Sequence, residues 1–355
     1  MSRKKAPLSG ASDKPLDGGR AITIKDLAAL SGYSLGTVSR VLNHQPNVSD
    51  TARETIMAVA REHGFTLNLN AKHLKQSRSN NLLVVVRGVQ NELFAMVVEQ
   101  LQLLARDGPY QIVVDYIDEL ANEVAEASRR VREIKPQGIF FLGASADHFR
   151  TRFGEISLPA VLVTNSAAEL GFENLSSVTT DDEAAACAAV GRLLELGHRR
   201  VGVIGGDREQ SDTSRLRYAG CVRAFEERGL TFDPAWYRTA RYNFADGYEA
   251  MASLLREERS LTAVFAMSDA MAIGAARAIR DEGKTIPGDI SLIGFDGLPI
   301  CRYYQPRLAT VLQDSQTMAA ESYSILMAAI QKKGTAEHRR IPYRLEENGS
   351  LRSVE

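Results

Sequence analysis

The 355-residue sequence lacks the features that mark several large classes of protein. Its three cysteines are odd in number and widely separated, so neither a disulfide framework nor a zinc site is predicted, and each is expected to be a small buried residue. No apolar run approaches the ~20 residues of a membrane-spanning helix, and no apolar segment follows Lys4 and Lys5 as it would in a signal peptide. These absences predict a globular protein of the cytoplasm with more than one domain.

Signatures of catalysis are missing as well. Neither a G-x-S-x-G nor a G-x-G-x-x-G pattern stands between a strand and a helix, and H-E-x-x-H does not occur. Residues 278–285 fit a relaxed phosphate-loop pattern, but that loop follows a strand, whereas here a helix runs into Gly283 and Pro287 follows. We interpret Gly283 as the residue that ends this helix, and we predict no enzymatic activity, no cofactor and no metal.

Charge is distributed unevenly along the chain, although its net value is only -1. Residues 1–80 contain 12 Lys and Arg against 6 Asp and Glu, whereas the remaining residues contain 31 against 38. A basic N-terminal region on an acidic body predicts an anionic partner for the N-terminal region alone. The alternative, a solvated basic surface without a partner, has to be weighed against the motifs in that region.

Three short helical patterns follow a polar segment, residues 1–20, which we expect to be a disordered basic arm. Thr23 with Asp26 makes a capping pair before the first pattern, and Gly32 permits a sharp turn after it. The predicted helices cover about 24–30, 35–42 and 50–63, the last two capped by Ser34 and Ser49 and the third ended by Gly64. Helices this short need one another to form a core, which is typical of a small all-α helix-turn-helix DNA-binding domain over residues 21–64.

From residue 80 onward, short apolar runs typical of strands alternate with helical periods. The predicted strands are 82–86, 111–114, 138–142, 160–163, 200–204, 263–267, 291–295 and 309–312. The predicted helices are 94–106, 123–134, 183–196, 215–228, 245–256 and 270–282. This alternation predicts an α/β core of two doubly wound parallel-sheet lobes, with a ligand in the cleft beyond the carboxyl ends of the strands.

Longer motifs in both regions resemble one known family. The N-terminal region reads TIKDLAALSGYSLGTVSRVLN, NVSDTARETIMAVAREHGF and NLNAKHLKQSRS; the body reads LGHRRVGVIGG, RLRYAGCVRAF, LTAVFAMSDAMAIGAARAI, IPGDISLIGFDG and YYQPRLATVLQD. Over residues 22 to about 346 these motifs are similar to the LacI/GalR (lac repressor) family of bacterial transcriptional regulators. The resemblance implies a hinge helix over residues 65–79 and a periplasmic-binding-protein-like core over 80–355, whose chain crosses between lobes near 164, 296 and 315.

The resemblance also implies how DNA is contacted. In the family the second helix enters the major groove, so Leu35, Gly36 and Arg40 would meet base edges, and Arg40 suits a bidentate bond to guanine. A solvated Arg40 is the alternative. Leu74 takes the position of the hinge leucine that inserts into the minor groove and bends the duplex. The full set of implied DNA-binding residues is Thr23, Ser34, Leu35, Gly36, Thr37, Ser39, Arg40, Asn43, Asn70, Ala71 and Leu74.

A second set of residues matches the family's effector contacts by position. Carboxylates and Arg at strand ends suit sugar hydroxyls, and aromatic rings suit the apolar face of a sugar. Simpler roles stay open, since Asp269 could cap a helix, Arg217 could form a surface pair and Phe94 could be core. Where relatives commonly have Pro-Asp-x-x-Asn-Pro-Phe-Phe this chain reads RGVQNELF, and Arg87 leaves room for a phosphorylated or acidic sugar. The implied set is Arg87, Asn91, Phe94, Asn165, Arg217, Tyr242, Ser268, Asp269 and Asp296.

Together these patterns predict a sequence-specific transcriptional regulator, more typically a repressor, of a carbohydrate-utilisation operon. The resemblance implies a homodimer on a pseudo-palindromic operator in double-stranded DNA, controlled allosterically by a small sugar-like effector between the lobes. The alternative from another class is a sugar-binding or enzymatic α/β protein with an accessory N-terminal interaction module. Salt-dependent binding to a palindromic DNA fragment distinguishes the two.

Overall fold

The computed structural model describes residues 22–42, 48–63, 65, 79–88, 91–331 and 335–354. They belong to two compact units that divide between residues 76 and 77. None of the helices in these ranges has the length and apolarity that crossing a membrane would require. The predicted arm over 1–20 and most of the predicted hinge lie outside the described residues, as do the site residues Asn43, Asn70, Ala71 and Leu74.

The first unit contains three helices, α1 over Ile24–Ser31, α2 over Leu35–Leu42 and α3 over Asp50–Glu62. Thr23 Oγ1 accepts the Asp26 amide at 3.4 Å, and the Asp26 carboxylate accepts the Thr23 amide at 2.8 Å, which confirms the capping box. Ser34 and Ser49 accept amides at the starts of the next two helices, also as predicted. Among the described residues, the buried core cluster of this unit is Leu27, Val38, Val41, Ile56 and Ala60, and Ala52 of α3 is buried as well.

The second unit contains twelve strands and nine α-helices in its described residues. Its strands are β1 Asn81–Arg87, β2 Gln111–Ile117, β3 Gly138–Leu142, β4 Ala160–Val163, β5 Leu175–Thr180, β6 Val201–Gly205, β7 Tyr237–Thr239, β8 Ala263–Ala266, β9 Ser291–Asp296, β10 Ala309–Gln313, β11 His338–Ile341 and β12 Tyr343–Glu346. Its helices are α4 Glu92–Ala105, α5 Glu123–Ile134, α6 Ala146–Arg152, α7 Asp182–Glu195, α8 Asp212–Glu226, α9 Phe244–Glu257, α10 Asp269–Asp281, α11 Ile300–Tyr303 and α12 Ser315–Ile330.

The strands form two six-stranded sheets, each the centre of one lobe. The sheet of lobe 1 has the order β11-β5-β4-β3-β1-β2 and is parallel throughout. The sheet of lobe 2 has the order β12-β10-β9-β8-β6-β7 and is parallel except for β12, which pairs antiparallel with β10 at the edge. This architecture confirms the predicted fold class.

Both faces of each sheet are covered, as a parallel sheet requires. In β1, Leu82 and Val84 pack into a cluster with residues of α4 and α12, while Leu83 and Val85 pack on the opposite face with residues of α5 and α6. The three cysteines are buried and free of disulfides, as predicted from their number and spacing. Gly283 follows α10 with φ +71°, and its amide and that of Lys284 cap the last turn, which confirms its predicted role.

The chain changes lobes at positions that differ from two of the predicted ones. The predicted crossings near 164 and 296 are wrong, because β4 and β5 share the first sheet and β9 and β10 share the second. The crossings fall after β5, between β10 and α12 near Asp314, and between β11 and β12. The crossing near 164 was misplaced because β5 was not predicted, since its buried sequence LSSVTT contains Ser and Thr and is not an apolar run. The strands on either side of 296 were both predicted, and only the sheet order shows that they belong to one lobe.

Helix α12 was also absent from the predicted elements, although it is the longest helix among the described residues. It runs through SQTMAAESYSILMAAI, in which apolar residues surround the helix and polar ones are interspersed. Met318, Ala319 and Leu326 are buried against lobe 1. The polar Ser322 is buried as well, and its hydroxyl donates to the Met318 carbonyl at 2.7 Å. Without a one-sided apolar stripe, the periodicity did not reveal the element.

Candidate functional site

One candidate surface lies on the first unit and is formed by α2. Val38 and Val41 point into the core, which leaves Leu35, Gly36 and Arg40 exposed on the other side of the helix. Arg40 Nε donates to the Gly36 carbonyl at 3.2 Å, and the hydroxyls of Ser34 and Thr37 are 2.9 Å apart. A Cβ placed on Gly36 would meet nothing closer than Ser34 Oγ at 4.0 Å, so packing within this unit does not require glycine there.

The second candidate site is a cleft between the lobes of the second unit, with a cavity volume of about 610 Å³. Three adjacent strands of lobe 1 deliver their carboxyl ends to it through residues in the left-handed conformation, namely Gly88 after β1, Gly143 after β3 and Thr164 after β4. A Cβ on Gly143 would lie 2.9 Å from the Phe94 ring, so glycine at this turn makes room for an aromatic wall.

Seven of the nine predicted effector residues line this cleft. They are Arg87, Asn91, Phe94, Asn165, Arg217, Tyr242 and Asp296. The other two, Ser268 and Asp269, are buried in hydrogen bonds within lobe 2. Ser268 caps α10 by accepting the Met271 amide at 3.1 Å, and Asp269 accepts the Leu298 amide and the Thr310 hydroxyl, each at 2.7 Å. Their predicted contact with the effector is therefore corrected, because neither residue lines the cleft: Ser268 caps α10, and Asp269 holds the turn after β9 and the start of β10.

Arg217 and Asp296 form the buried inner end of the cleft, with exposed fractions of 4% and 7%. Arg217 Nε donates to Asp182 at 2.8 Å, its Nη1 lies 4.0 Å from Asp296 Oδ1, and its guanidinium carbon lies 3.6 Å from the centre of the Phe295 ring. Gln313 donates to Asp296 Oδ1 at 2.9 Å. The predicted alternative of a surface pair for Arg217 is thus excluded.

Asp296 combines unusual backbone and electrostatic properties. Its φ of 119° is one that side chains rarely adopt, at a typical cost of ~1–3 kcal/mol. Burial raises the pKa of its carboxyl to about 8, against the lowering influence of Arg217 and with a further rise from Asp269. A carboxyl that is protonated near neutral pH can donate a hydrogen bond as well as accept one. Asp296 can therefore bind a ligand hydroxyl either as the donor or as the acceptor.

Two direct contacts connect the lobes across the cleft. Asn165 of lobe 1 donates to Thr213 Oγ1 of lobe 2 at 3.4 Å, and Arg241 of lobe 2 pairs with Glu119 of lobe 1 at 2.7 Å. Asn165 also accepts the Ala144 amide at 3.1 Å, so its position is determined by lobe 1. Beside these polar contacts, Leu93 of α4 in lobe 1 packs among the buried apolar residues of lobe 2.

Several cleft residues were missed by the sequence interpretation. They follow the carboxyl ends of β2, β6 and β7 or lie in β10, and include Asp118, Glu119, Leu120, Asp207, Thr213, Arg241, Asp246 and Gln313. The rule that ligands bind at strand ends would have found the group after β2, since that strand was predicted. Among the residues after β7, Tyr242 was assigned through the family resemblance, whereas Arg241 and Asp246 were missed because this three-residue edge strand was not predicted.

Among the described residues, no group of three or more His, Cys, Asp or Glu side chains is arranged to hold a metal ion. The cleft lining contains Arg87, Arg217 and Arg241 against five acidic residues, Asp118, Glu119, Asp207, Asp246 and Asp296. Arg87 Nε donates to the Glu119 carbonyl at 2.6 Å and lies 4.0 Å from the buried Glu123 carboxylate. The arginines of the lining are therefore balanced by acidic and carbonyl oxygens of the protein itself.

Two family models match this chain. Residues 23–68 match bacterial regulatory proteins of the lacI family, and residues 190–351 match a periplasmic binding protein-like domain. The first match covers the three-helix unit, and the second covers most of lobe 2 together with α12 and β11.

Curated relatives match nearly the whole chain. The HTH-type transcriptional regulator MalR of Clostridium butyricum is 33% identical over 322 residues, which cover 89% of this chain and 95% of MalR. The regulator GalS of Salmonella typhimurium is 32% identical, with coverage of 84% and 87%. Among solved structures, a complex of the transcriptional regulator CelR with cellobiose is 25% identical with a TM-score of 0.70, covering 93% of this chain and all of CelR. The lac repressor dimer bound to operator, at 22% identity, shares the fold with a TM-score of 0.79, over 94% of this chain and all of that one.

Proposed function

This chain belongs to the LacI family of bacterial regulatory proteins, and we propose that it represses a carbohydrate-utilisation operon in the cytoplasm under the control of a neutral sugar bound between its lobes. It acts on DNA as a transcriptional regulator and not as an enzyme. The observation that carries the effector assignment is the buried group of Arg217, Asp296 and Gln313, which opens into a cleft walled by Phe94 and Tyr242.

The DNA-binding domain in this proposal covers residues 21–64, followed by a hinge over 65–79 and the effector domain over 80–355. Arg40 is the base-reading side chain of α2, because it is the exposed cation on the helix face that the core leaves outward. Gly36 gives the protein backbone a close approach to DNA, which is consistent with the open space around it. Leu74 inserts into the central minor-groove step, where a bend brings more of the protein into contact with DNA.

Binding to a palindromic promoter fragment tests the DNA assignment. Specific affinity should exceed affinity for random DNA and fall steeply with salt.

Arg40→Ala should reduce discrimination between cognate and altered operators by ~1–3 kcal/mol, whereas Arg61→Ala on the exposed face of α3 should affect all sequences alike. Leu74→Ala should weaken specific binding and bending. Equal affinity for promoter and random DNA at every salt concentration would contradict the proposal that this protein is a sequence-specific regulator.

Charge in the cleft supports a neutral effector over a phosphorylated or acidic one. A phosphate needs donors that the protein leaves available, whereas Arg217 is held by Asp182, Arg241 by Glu119 and the Nε of Arg87 by a carbonyl. Hydroxyl groups suit this lining better, because each can donate to a carboxylate and accept from an amide or guanidinium. The relative solved with cellobiose is an instance of such a ligand in this family.

Thermal-shift measurements with neutral sugars and sugar phosphates test this assignment. A ligand at ~100 times its dissociation constant adds about 2.7 kcal/mol to stability. Asp296→Ala should abolish the shift but leave DNA binding intact, while Asp147→Ala, an 80% exposed carboxylate outside the cleft, should preserve both. A full shift in the Asp296 variant would show that the effector binds elsewhere.

The proposed active form is a homodimer on a pseudo-palindromic operator. One reading helix contacts few base pairs, and two heads spaced by a turn of DNA multiply the specificity. Helix α4 is the candidate interface element in lobe 1, since Leu103 and Leu104 are large apolar side chains that are more than 40% exposed. Sedimentation should give a dimer, and Leu104→Arg should shift it towards the monomer.

The proposed control is a coupling between lobe closure and operator binding. An effector changes operator affinity only through its different affinities for two states of the protein, typically by ~1–3 kcal/mol. The cross-cleft contacts of Asn165 and Arg241 belong to one such state, and a ligand that enters between them alters its stability.

A further inference from the structure

The cleft changes character from its inner to its outer end. At the inner end, Phe94, Arg217, Asp296 and Gln313 are all buried. At the outer end, the side chains of Glu119 and Arg241 are 39% and 60% exposed, and Leu120 is 64% exposed. The inner group by itself provides one aromatic wall, one cation, one carboxyl and one amide, a complement suited to a single sugar ring.

The lining of the cleft extends well beyond the inner group. Small-molecule pockets range over ~300–1,000 Å³, and one that had to hold a single small ring would lie near the lower limit. The volume here is about 610 Å³, and the lining continues past Tyr242 to the residues that follow β2 and β7. The outer part of the cleft is therefore lined by both lobes, which are joined there by the ion pair between Glu119 and Arg241.

The chemistry of the outer lining is mixed. Leu120 and Ala240 contribute apolar surface, and Asn243 and Thr239 contribute polar side chains. Asp118 Oδ1 accepts the Leu120 amide at 2.8 Å, and Asp207 Oδ1 accepts the Glu209 amide at 2.8 Å and the Gln210 amide at 3.3 Å. The second oxygen of each carboxylate takes no hydrogen bond from the described residues. Apolar patches beside hydroxyl-binding acceptors suit a further sugar ring, whereas the acidic character disfavours a phosphate or a uronic acid.

We infer that the cleft has an outer subsite, formed by Asp118, Glu119, Leu120, Asp207 and Arg241, which binds a second ring of a neutral oligosaccharide whose first ring lies against Arg217 and Asp296. The effector is then a disaccharide or longer, and not a monosaccharide. This inference rests on the proposed function, because it takes the cleft to be the site of a sugar effector. The Glu119–Arg241 pair is the element of the subsite that spans both lobes, so an outer ring contacts both at once.

Calorimetric titration of the full-length protein with glucose, galactose, maltose, cellobiose, maltotriose and glucose 6-phosphate tests the subsite. At least one neutral disaccharide or trisaccharide should bind ~10-fold or more tightly than its constituent monosaccharide. Arg241→Ala should reduce this ratio of affinities several-fold. Glu119→Gln keeps the side-chain shape but removes the charge, and it should reduce the same ratio, which tests the subsite at the other residue of the ion pair. The matched control is Arg150→Ala, which removes a similarly exposed ion-paired arginine that is outside the cleft lining.

Each outcome decides between the inference and the function on which it rests. Equal affinity for a monosaccharide and the oligosaccharides that contain it, or a ratio unchanged in both variants, would overturn the outer subsite while leaving a sugar effector in place. Tightest binding by glucose 6-phosphate would overturn the subsite and the neutral effector together. If no saccharide binds while specific operator binding persists, the sugar effector itself is wrong, although the chain remains a DNA-binding regulator.

Discussion

The two units of this protein place their candidate functional side chains in opposite surroundings. On the first unit, Leu35, Gly36 and Arg40 are exposed, and each is positioned by a single short helix. In the second unit, Arg217 and Asp296 are almost fully buried and come from α8 and β9, with Asp182 from α7 beside them. Exposed groups on one helix need little from the rest of the fold, whereas buried charges depend on partners supplied by distant segments.

This difference predicts that an arginine in the cleft matters more for stability than an arginine on the surface. Arg217→Ala removes the buried cation that pairs with Asp182 at 2.8 Å, so the free energy of unfolding of the second unit should fall by ~3–5 kcal/mol. Arg215→Ala, two residues away in α8 and paired with Asp212 in solvent, should change it by less than ~0.5 kcal/mol. Urea denaturation followed by circular dichroism measures both, and similar losses in the two variants would contradict the comparison.

The first unit should be sensitive to its small core and not to its surface. Ile56 is fully buried in the small core formed by the described residues of this unit, and Ile56→Ala should cost ~2–5 kcal/mol, a large share of the stability of so small a unit. Operator binding should then be lost, while sugar binding by the second unit persists. Glu54→Ala, on the exposed side of the same helix, serves as the control. If Ile56→Ala also abolished ligand binding, the two units would not be independent.

The buried carboxyl of Asp296 should make the second unit less stable as pH rises. Its pKa of about 8 in the folded protein exceeds the ordinary value of 3.8, so between these values the folded state holds a proton that the unfolded state has lost. Stability from this group is complete below pH ~4 and is lost as pH rises towards 8, by at most ~1.4 kcal/mol per pH unit. Arg217, Asp182 and Asp269 are the charged neighbours that affect this proton.

Denaturation of Asp296→Asn at pH 5, 6.5 and 8 measures that effect. The variant should lose less stability than the unaltered protein over this interval, because its amide does not titrate. Asp147→Asn, at an 80% exposed position, should follow the unaltered protein. Parallel curves for all three proteins would show that Asp296 is ionised throughout the interval.

The smallest expected effect concerns the cap of α1. Thr23→Ala removes one side of the capping box and should destabilise the first unit by ~1 kcal/mol, whereas Thr23→Ser keeps the hydroxyl and should change little. Thermal unfolding of the first unit, compared with operator affinity in the same variants, separates the capping role from direct contact with DNA. A loss of operator affinity in Thr23→Ala without any loss of stability would indicate direct contact.

The elements that the sequence predicted well are those with local signals. Thr23, Ser34 and Ser49 mark helix starts through bonds to amides three residues away, and Gly283 marks a helix end through its left-handed backbone. The apolar strands of both sheets were also predicted from a local signal, namely their short apolar runs. Strand β5 and helix α12 were missed, because buried Ser and Thr in one and evenly distributed apolar residues in the other give no periodic signal.

The cleft was predictable only in part. The family resemblance and the strand-end rule led to seven lining residues, and Ser268 and Asp269 were assigned there because they follow a strand in the same way. Only the tertiary structure shows that Asp269 accepts hydrogen bonds from the Leu298 amide and the Thr310 hydroxyl. It also shows that Gln313 and Arg241 line the cleft.

By itself, the sequence determined the three-helix unit, the α/β class of the body and the exposed face of α2, because caps, turns and amphipathic periods act over three or four residues. The tertiary structure decided which carboxylates are open to a ligand, how Arg217 is partnered and where the chain crosses between lobes. The physical reason is that desolvation and ion pairing depend on which distant segments of the chain come into contact, and local sequence patterns do not predict those contacts.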